Sequence, residues 1–410
     1  MASASPVNVL SYPEAAGCVR LYVERLRAAE RPVQHVPLLA AMGRVLAEPV
    51  RADRDQPPFP RSTRDGFACR AADLAAGPLR ISGLLRAGEP WTGGTVPAGE
   101  AIEIMTGAPV PPGADCVVMV EHVEASGGFV RLAAPRASTP GDNVVPAGAE
   151  AHSGEVLVPA GRRMGVPQLA AAAACGGASL LVFARPRVAI LATGDELVDV
   201  ARTPLPHQIR NSNSYSLAAQ TLAAGGAPKI FPVVPDDLDA TQQALAEASS
   251  MDLILLAGGV SMGKFDFVEQ ALLARGAEFF FTGARIQPGK PVVFGRLPEA
   301  YFFGLPGNPV STMVTFALFT APLLRALGGE FEIGPRFATA RLEQEVRVKP
   351  GLTRFLPGRL ESDESGARVR PVSWRGSGDL AAAAQANGFV VVPETTERIA
   401  PGETASVLLL

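Results

Sequence analysis

The 410-residue sequence is poor in aromatics, at 6%, has only four cysteines and four histidines, and carries no marked excess of either charge. Each shortage removes a class of function. With a formal net charge of −3 there is no global basic field to hold nucleic acid, and no local run of Lys and Arg replaces one. Sparse aromatics also argue against base-stacking surfaces. Cys18, Cys69, Cys116 and Cys175 lie far apart with no C-x-x-C pair. Reduced thiols are therefore expected, rather than a zinc site or a disulfide framework. His35, His122, His152 and His207 are equally scattered and read as surface or packing residues. No stretch of about 18 apolar residues occurs, so no transmembrane helix is expected. The alanine-rich Leu169–Cys175 is too short and runs into Gly176-Gly177. Residues Met1–Leu10 lack a basic segment followed by an apolar run, so no signal peptide is expected and the cytoplasm is the expected location.

What is present supports several packed units. The length suggests two to four domains, and 47% hydrophobic residues suffice for sizeable cores. Pro13–Arg31 has Val19, Tyr22, Val23 and Leu26 at helical spacing and is expected to be an amphipathic helix. Leu38–Leu46 is expected to be a second. The run Asp55-Gln56-Pro57-Pro58-Phe59-Pro60 suits neither a helix nor a central strand and marks a boundary. Residues 51–143 form a β-rich domain, with strands such as Leu79–Leu85, Ala101–Met105, Cys116–Val120 and Phe129–Leu132. Residues 144–184 are expected to pack back on the first helix, so that 6–50 with 144–184 form one linker domain and 51–143 is inserted in it.

Residues 185–329 have a different rhythm. Strands Arg187–Ala192, Lys229–Val234, Asp252–Ala257, Pro291–Gly295 and Tyr301–Gly304 are interspersed with helices Ser214–Ala224, Leu238–Ala248, Phe265–Ala274 and Val310–Leu327. Strands apolar on both faces read as a parallel sheet, so this is a doubly wound α/β domain. Ser212, Asn213 or Ser214 is available to cap the first of these helices. Residues 330–410 lose the alternation and read as a small β-barrel-like domain, with strands near Ala338–Val348, Arg354–Leu360, Ala367–Val372 and Gly388–Val392. The fold class is thus multidomain α/β plus β.

In a doubly wound sheet, ligands bind beyond the carboxyl ends of the strands. The loops there carry Thr193-Gly194-Asp195-Glu196, Pro235-Asp236-Asp237, Gly258-Gly259-Val260-Ser261-Met262-Gly263 with Asp266, and Pro306-Gly307-Asn308-Pro309; Gln287-Pro288-Gly289-Lys290 precedes a strand. Four of these five should converge on one sheet edge. Gly194, Gly258, Gly259, Ser261 and Gly263 would let backbone N–H groups approach a phosphate. The helix opened by Pro309 favours an anion. Asp195, Glu196, Asp237 and Asp266 suit Mg²⁺, which takes one or two carboxylates plus substrate phosphates. Lys290 supplies neutralising charge. Each motif alone is usually a turn or a cap, and either Asp236 or Asp237 would serve as the N-cap of Leu238–Ala248. Placement together points to a Mg²⁺-dependent phosphate or nucleotide site. Asp65-Gly66-Phe67-Ala68 and Met105-Thr106-Gly107-Ala108-Pro109 in the β-rich domain require nothing beyond turn chemistry by their spacing alone.

Together these segments resemble the molybdopterin molybdenumtransferase family, which includes the gephyrin E domain. The matching runs are Asp65–Ala68, Ile104–Pro111, Thr193–Leu197, Asp236-Asp237, Gly258–Gly263, Asp266, Pro288–Pro291 and Gly304–Ser311, in order over nearly the whole chain. The resemblance implies an elongated homodimer, with each site in a cleft between the α/β domain of one subunit and the β-rich domain of the other. It implies that adenylylated molybdopterin and molybdate bind with Mg²⁺, AMP is released, and molybdenum enters the dithiolene. On that carry-over Asp65 and Thr106 line the cleft. Glu196, Asp237 and Asp266 serve the metal and the pyrophosphate. Lys290, Pro306, Gly307, Asn308, Pro309 and Ser377 belong to the substrate pocket. Transient contact with a molybdopterin adenylyltransferase and with recipient molybdoenzymes is implied as well.

The chain departs from the family pattern in three places. Basic residues common just after the β-rich domain are replaced in Val144–Glu150, Gln287 stands where a second lysine is common, and Arg64 replaces a methionine. Each missing charged hydrogen bond would weaken anion binding by roughly 1.5–3 kcal/mol. Arg61, Arg64 or Arg210, entering from other loops, are candidates to replace that charge. The alternative in the same fold is a carrier that binds and delivers the pterin or the finished cofactor. An adenylyltransferase would need only a domain like 185–327, and no scaffold-specific extension is visible.

Overall fold

The structure is a computed structural model that describes residues 8–27, 29–259 and 267–410. Of the segments singled out above, residues 1–7, Ala28, and Val260–Asp266 with Ser261, Gly263 and Asp266 lie outside the described residues.

At the centre is a six-stranded sheet. Ala227–Ile230, Arg187–Ala192, Leu253–Ala257 and Tyr301–Leu305 run parallel in that order. Val293–Arg296 and Glu278–Phe281 add an antiparallel edge. Period-2 alternation splits the apolar strands between two cores. Val188, Ile190, Leu253, Leu255 and Phe303 face one; Ala189, Leu191, Ile254, Leu256 and Phe302 face the other. Helices Asn213–Ala223 and Pro309–Thr315 cover the first face, and Leu238–Glu247 and Phe267–Ala274 the second.

Contrary to the expectation of no membrane-length apolar stretch, Pro309–Leu327 is a 19-residue helix long and apolar enough by mean hydropathy to cross a membrane, because Ser311, Thr312, Thr315, Thr320 and Arg325 interrupt the run without breaking it; 83% of its most apolar window is buried inside the fold. A helix apolar on all sides is stable where it is packed all round. It widens into a π turn at Phe316–Thr320, just before Pro322. Proline lacks the N–H of a regular helical bond and clashes with the preceding turn, and a widened turn relieves both.

The first helix is Tyr12–Arg27. It does not pack on 144–184. Ala15, Val19 and Val23 join the α/β core, and the helix lies against Ala321–Leu327. The second expected helix is a single 3₁₀ turn, Leu38–Ala41, followed by Gly43 at φ 70°. Val33–Pro37 before it is a strand paired with Ser179–Phe183. Val50–Arg51 pairs with Val156–Val158, and Arg61–Ser62 with Val144–Val145. These three ladders join 33–62 to 144–183 and bracket a six-stranded sheet that includes Gly66–Cys69, Leu79–Leu85, Glu100–Ile104, Cys116–Met119 and Phe129–Leu132.

In the C-terminal region Thr353–Asp363, Gly366–Pro371, Phe337–Leu342, Thr404–Leu409 and Gly388–Val392 pair in turn. Gly388–Val392 pairs back to Thr353–Asp363 and closes a barrel. Closure removes the exposed edges a small open sheet would present. Val369, Val390, Val392 and Val407 fill the interior.

Candidate functional site

The parallel ladders carry four loops to one edge. Thr193 N–H donates to Ala257 O at 3.1 Å, Gly194 N–H to Val234 O at 3.2 Å, and Gly258 N–H to Leu305 O at 3.2 Å. The strand after Lys290 runs antiparallel, so its preceding loop emerges at that same edge. A cavity of about 890 Å³ opens there. Its wall includes Thr193, Gly194, Glu196, Arg210, Asn213, Asp236, Gly258, Gly259, Pro291 and Pro306–Pro309, with Gly378 and Leu380 from the C-terminal region.

The glycines are needed for close approach of one loop to the next. Gly258 and Gly259 have φ of 93° and 63°, and a Cβ on them would lie 2.8 Å from Thr193 O and 2.7 Å from Val268 Cγ2 respectively. Gly194 has φ 146°, and a Cβ there would strike the Glu196 carboxylate at 2.4 Å from Oε2.

The carboxylates divide their roles. Asp237 Oδ1 accepts from Ala240 N–H at 2.8 Å, so this side chain caps Leu238–Glu247 and is not on the cavity wall. Asp236 is on the wall instead. Asp195 is off the wall, and its Oδ1 accepts from Asp236 N–H at 3.2 Å, tying the two loops together. Glu196 and Asp236 are thus the cavity carboxylates among the described residues. No group of three or more His, Cys, Asp or Glu side chains is preassembled to hold a metal among those residues.

The Pro306–Pro309 turn is clamped from two sides. Asn213 Nδ2 donates to Gly307 O at 2.7 Å. Asn308 Nδ2 donates to Ser377 Oγ at 2.8 Å, and Val310 N–H to Ser377 O at 3.0 Å. Ser377 therefore holds the turn that opens the long helix, and one of that helix's free N–H groups is already satisfied. The helix Asn213–Ala223 is capped by Asn211 rather than by the expected Ser212, Asn213 or Ser214: its Oδ1 accepts from Ser214 N–H at 3.1 Å. Buried Thr193 Oγ1 and Asn213 Oδ1 have no hydrogen-bond partner among the described residues.

Lys290 is exposed and off the wall, although Pro291 is on it. Asp65 and Thr106 are also off the wall and form a unit of their own. Asp65 Oδ1 accepts from Thr106 N–H and from Thr106 Oγ1, both at 2.7 Å. The N–H bond first and the hydroxyl second hold the Asp65 carboxyl below its usual range. Arg61 pairs with Glu150 at 2.6 Å, away from the cavity, which leaves Arg210 as the one Lys or Arg on its wall among the described residues.

Asn211, Asn213 and Asp236 had sequence signals. The run Arg210-Asn211-Ser212-Asn213 opens a helix, and Asp236 adjoins Asp237. Both signals also fit simple capping. Gly378 adjoins Ser377, which the resemblance implies for the pocket, whereas Leu380 had no signal, because its approach depends on how the C-terminal barrel docks.

The whole chain has close relatives. Residues 10–176 match the family model of the MoeA N-terminal region (domain I and II), 189–326 that of the probable molybdopterin binding domain, and 339–410 that of the MoeA C-terminal region (domain IV). The molybdopterin molybdenumtransferase of Bacillus subtilis (strain 168) is 34% identical over 387 residues, covering 92% of this chain and 89% of that protein. The one from Nostoc sp. is 34% identical over 402 residues, covering 93% and 90%. A solved molybdopterin biosynthesis MoeA protein from Pyrococcus horikosii superposes with a TM-score of 0.75 at 32% identity, covering 98% of this chain and 99% of that one. With family models matched along its length and relatives 34% identical over nine-tenths of it, the chain belongs to the molybdopterin molybdenumtransferase family.

Proposed function

We propose that the protein inserts molybdenum from molybdate into the dithiolene of adenylylated molybdopterin, with Mg²⁺-dependent hydrolysis of the pyrophosphate bond and release of AMP. The observation that carries this reading is the cavity at the strand carboxyl ends, within the segment matched as a probable molybdopterin binding domain. Its wall combines glycine loops, two carboxylates and an arginine, which suits a phosphate-bearing ligand with a hard cation.

The donor set fits Mg²⁺. Glu196 and Asp236 offer the one or two carboxylates this ion takes while keeping water and substrate phosphate as its other ligands. Asp266 remains part of the proposed set, and Asp237 contributes through the loop its cap rigidifies. When bound, Mg²⁺ supplies charge neutralisation at the pyrophosphate. The chain itself shapes the pocket. Exposed Gly259 offers backbone to a phosphate, while Gly258 N–H is already donated to Leu305 O and ties its loop in place, and the clamped Pro306–Pro309 turn fixes one wall.

The homodimer belongs to this proposal. Asp65 and Thr106 are preassembled yet stand off their own chain's cavity, which a second copy's β-rich region would complete. A cytoplasmic location completes the reading.

The test is a turnover assay on the full chain with adenylylated molybdopterin, molybdate and Mg²⁺, following AMP release and protein-bound molybdenum. Molybdate-dependent AMP release is expected, and Glu196→Ala should abolish it without changing the melting curve. Tight pterin binding with no AMP release would overturn the transferase in favour of a carrier.

A further inference from the structure

The substrate proposed above is a polyanion, yet the cavity wall carries two carboxylates and a single cation among the described residues. That cation is Arg210. It sits on a short strand, Ile209–Arg210, paired in parallel with Leu197–Val198, directly after Glu196. Its Nε donates to Val200 O at 3.0 Å and to Arg202 O at 3.1 Å. These bonds fix the base of the guanidinium, and among the described residues no carboxylate pairs with it. An arginine anchored only through Nε keeps its two terminal nitrogens available, and that planar fork is the geometry that binds a phosphate bidentately. Lys290, the cation the sequence motif favours, is off the wall.

Resting on the proposed transferase reading, we infer that Arg210 is the residue that binds the phosphate of the adenylyl half of the substrate and of the AMP that leaves. Its two carbonyl anchors make the assignment specific to arginine. A lysine has neither the Nε–H that these carbonyls hold nor the terminal fork, and would keep the charge without the orientation.

The test is calorimetric titration of the full chain with AMP in the presence of Mg²⁺, with melting curves for every variant. Arg210→Ala should weaken AMP binding by about tenfold or more, the scale of one charged hydrogen-bonded contact. Arg210→Lys should recover only part of that loss. Arg202→Ala removes the same charge nearby but leaves the carbonyl that anchors Arg210, and should bind AMP like the unmodified protein. The inference is overturned if Arg210→Ala loses less than this, or if Arg202→Ala loses as much. AMP release by the unmodified protein is scored separately, so normal turnover with unchanged AMP binding in Arg210→Ala would discard Arg210 alone. Absent turnover would discard the transferase reading.

Discussion

Replacing Arg163 by methionine should loosen the joint between the three parts of the chain. The guanidinium donates from Nε to Glu330 Oε1 at 3.1 Å and from Nη2 to Glu330 Oε2 at 2.6 Å. It also donates to Gly43 O and to Ala224 O, both at 2.9 Å. One side chain thus ties the 33–62 ladder, the α/β core and the link to the barrel. Glu330 is only 5% exposed. Removing one partner of a buried pair costs about 3–5 kcal/mol, chiefly because the other charge is left stranded. Arg325 lies close enough to interact with Glu330 electrostatically and offsets part of this. The lower end, about 3 kcal/mol, is the expected cost.

At about 2–4 °C per kcal/mol for units of this size, the transition that includes the joint should fall by roughly 6–12 °C. Scanning calorimetry is the appropriate assay, because it resolves transitions of separate regions where a two-state treatment fails. Adding Glu330→Gln to Arg163→Met should restore at least half of the loss, since no charge is then stranded. A fall of less than about 2 °C, or a double variant no better than the single, would refute the stranded-charge argument.

Two further perturbations test the unit around Asp65. A Cβ on Gly66 would lie 1.9 Å from Val118 O, so Gly66→Ala must part the Gly66–Cys69 and Cys116–Met119 strands. It should cost roughly 1–3 kcal/mol and displace Asp65; an unchanged melting curve with unchanged turnover would show that the strands accommodate a methyl. Thr106→Val removes the hydroxyl bond to Asp65 and keeps the N–H bond, so the Asp65 carboxyl should rise partway toward its usual range. Because the folded value is depressed, the stabilisation this carboxylate brings is present above the unfolded carboxylate pKa and is lost as pH falls through the folded one. The acid limb of kcat/KM should therefore move to higher pH in Thr106→Val, and an unmoved limb would mean that ionised Asp65 is not required.

Local pattern explains which elements were legible. Leu79–Leu85, Phe129–Leu132, Arg187–Ala192 and Gly388–Val392 were read to the residue, because each is an apolar or alternating run bounded by turn residues. Val33–Pro37 was missed. It is largely exposed, and what makes it a strand is Ser179–Phe183, far along the chain. Leu38–Leu46 has helical spacing, but Gly43 and the bridges of Val45 to Arg163 and Leu46 to Val182 draw its second half into extended pairing. Thr404–Leu409 was missed too, although it is a regular barrel strand between Phe337–Leu342 and Gly388–Val392.

The candidate site was legible as a set of loops and less so as a set of side chains. Glycine loops must follow strands that are packed on both faces, so their common edge was predictable. Which of Asp236 and Asp237 faces the cavity was not, because adjacent carboxylates are equivalent until the helix start fixes which one caps.

On its own, the sequence determined the strand–helix alternation of 185–327, the β-rich character of the flanking regions and the family, since these rest on periodicity and on motifs in fixed order. Only the tertiary structure decided that the first helix packs on the α/β core. It alone placed Ser377 on the Pro306–Pro309 turn and Arg210 on the cavity wall, and kept Asp65 and Thr106 off that wall. Each of these is a contact between segments remote in sequence, and such contacts follow from how whole units dock, which no local pattern encodes.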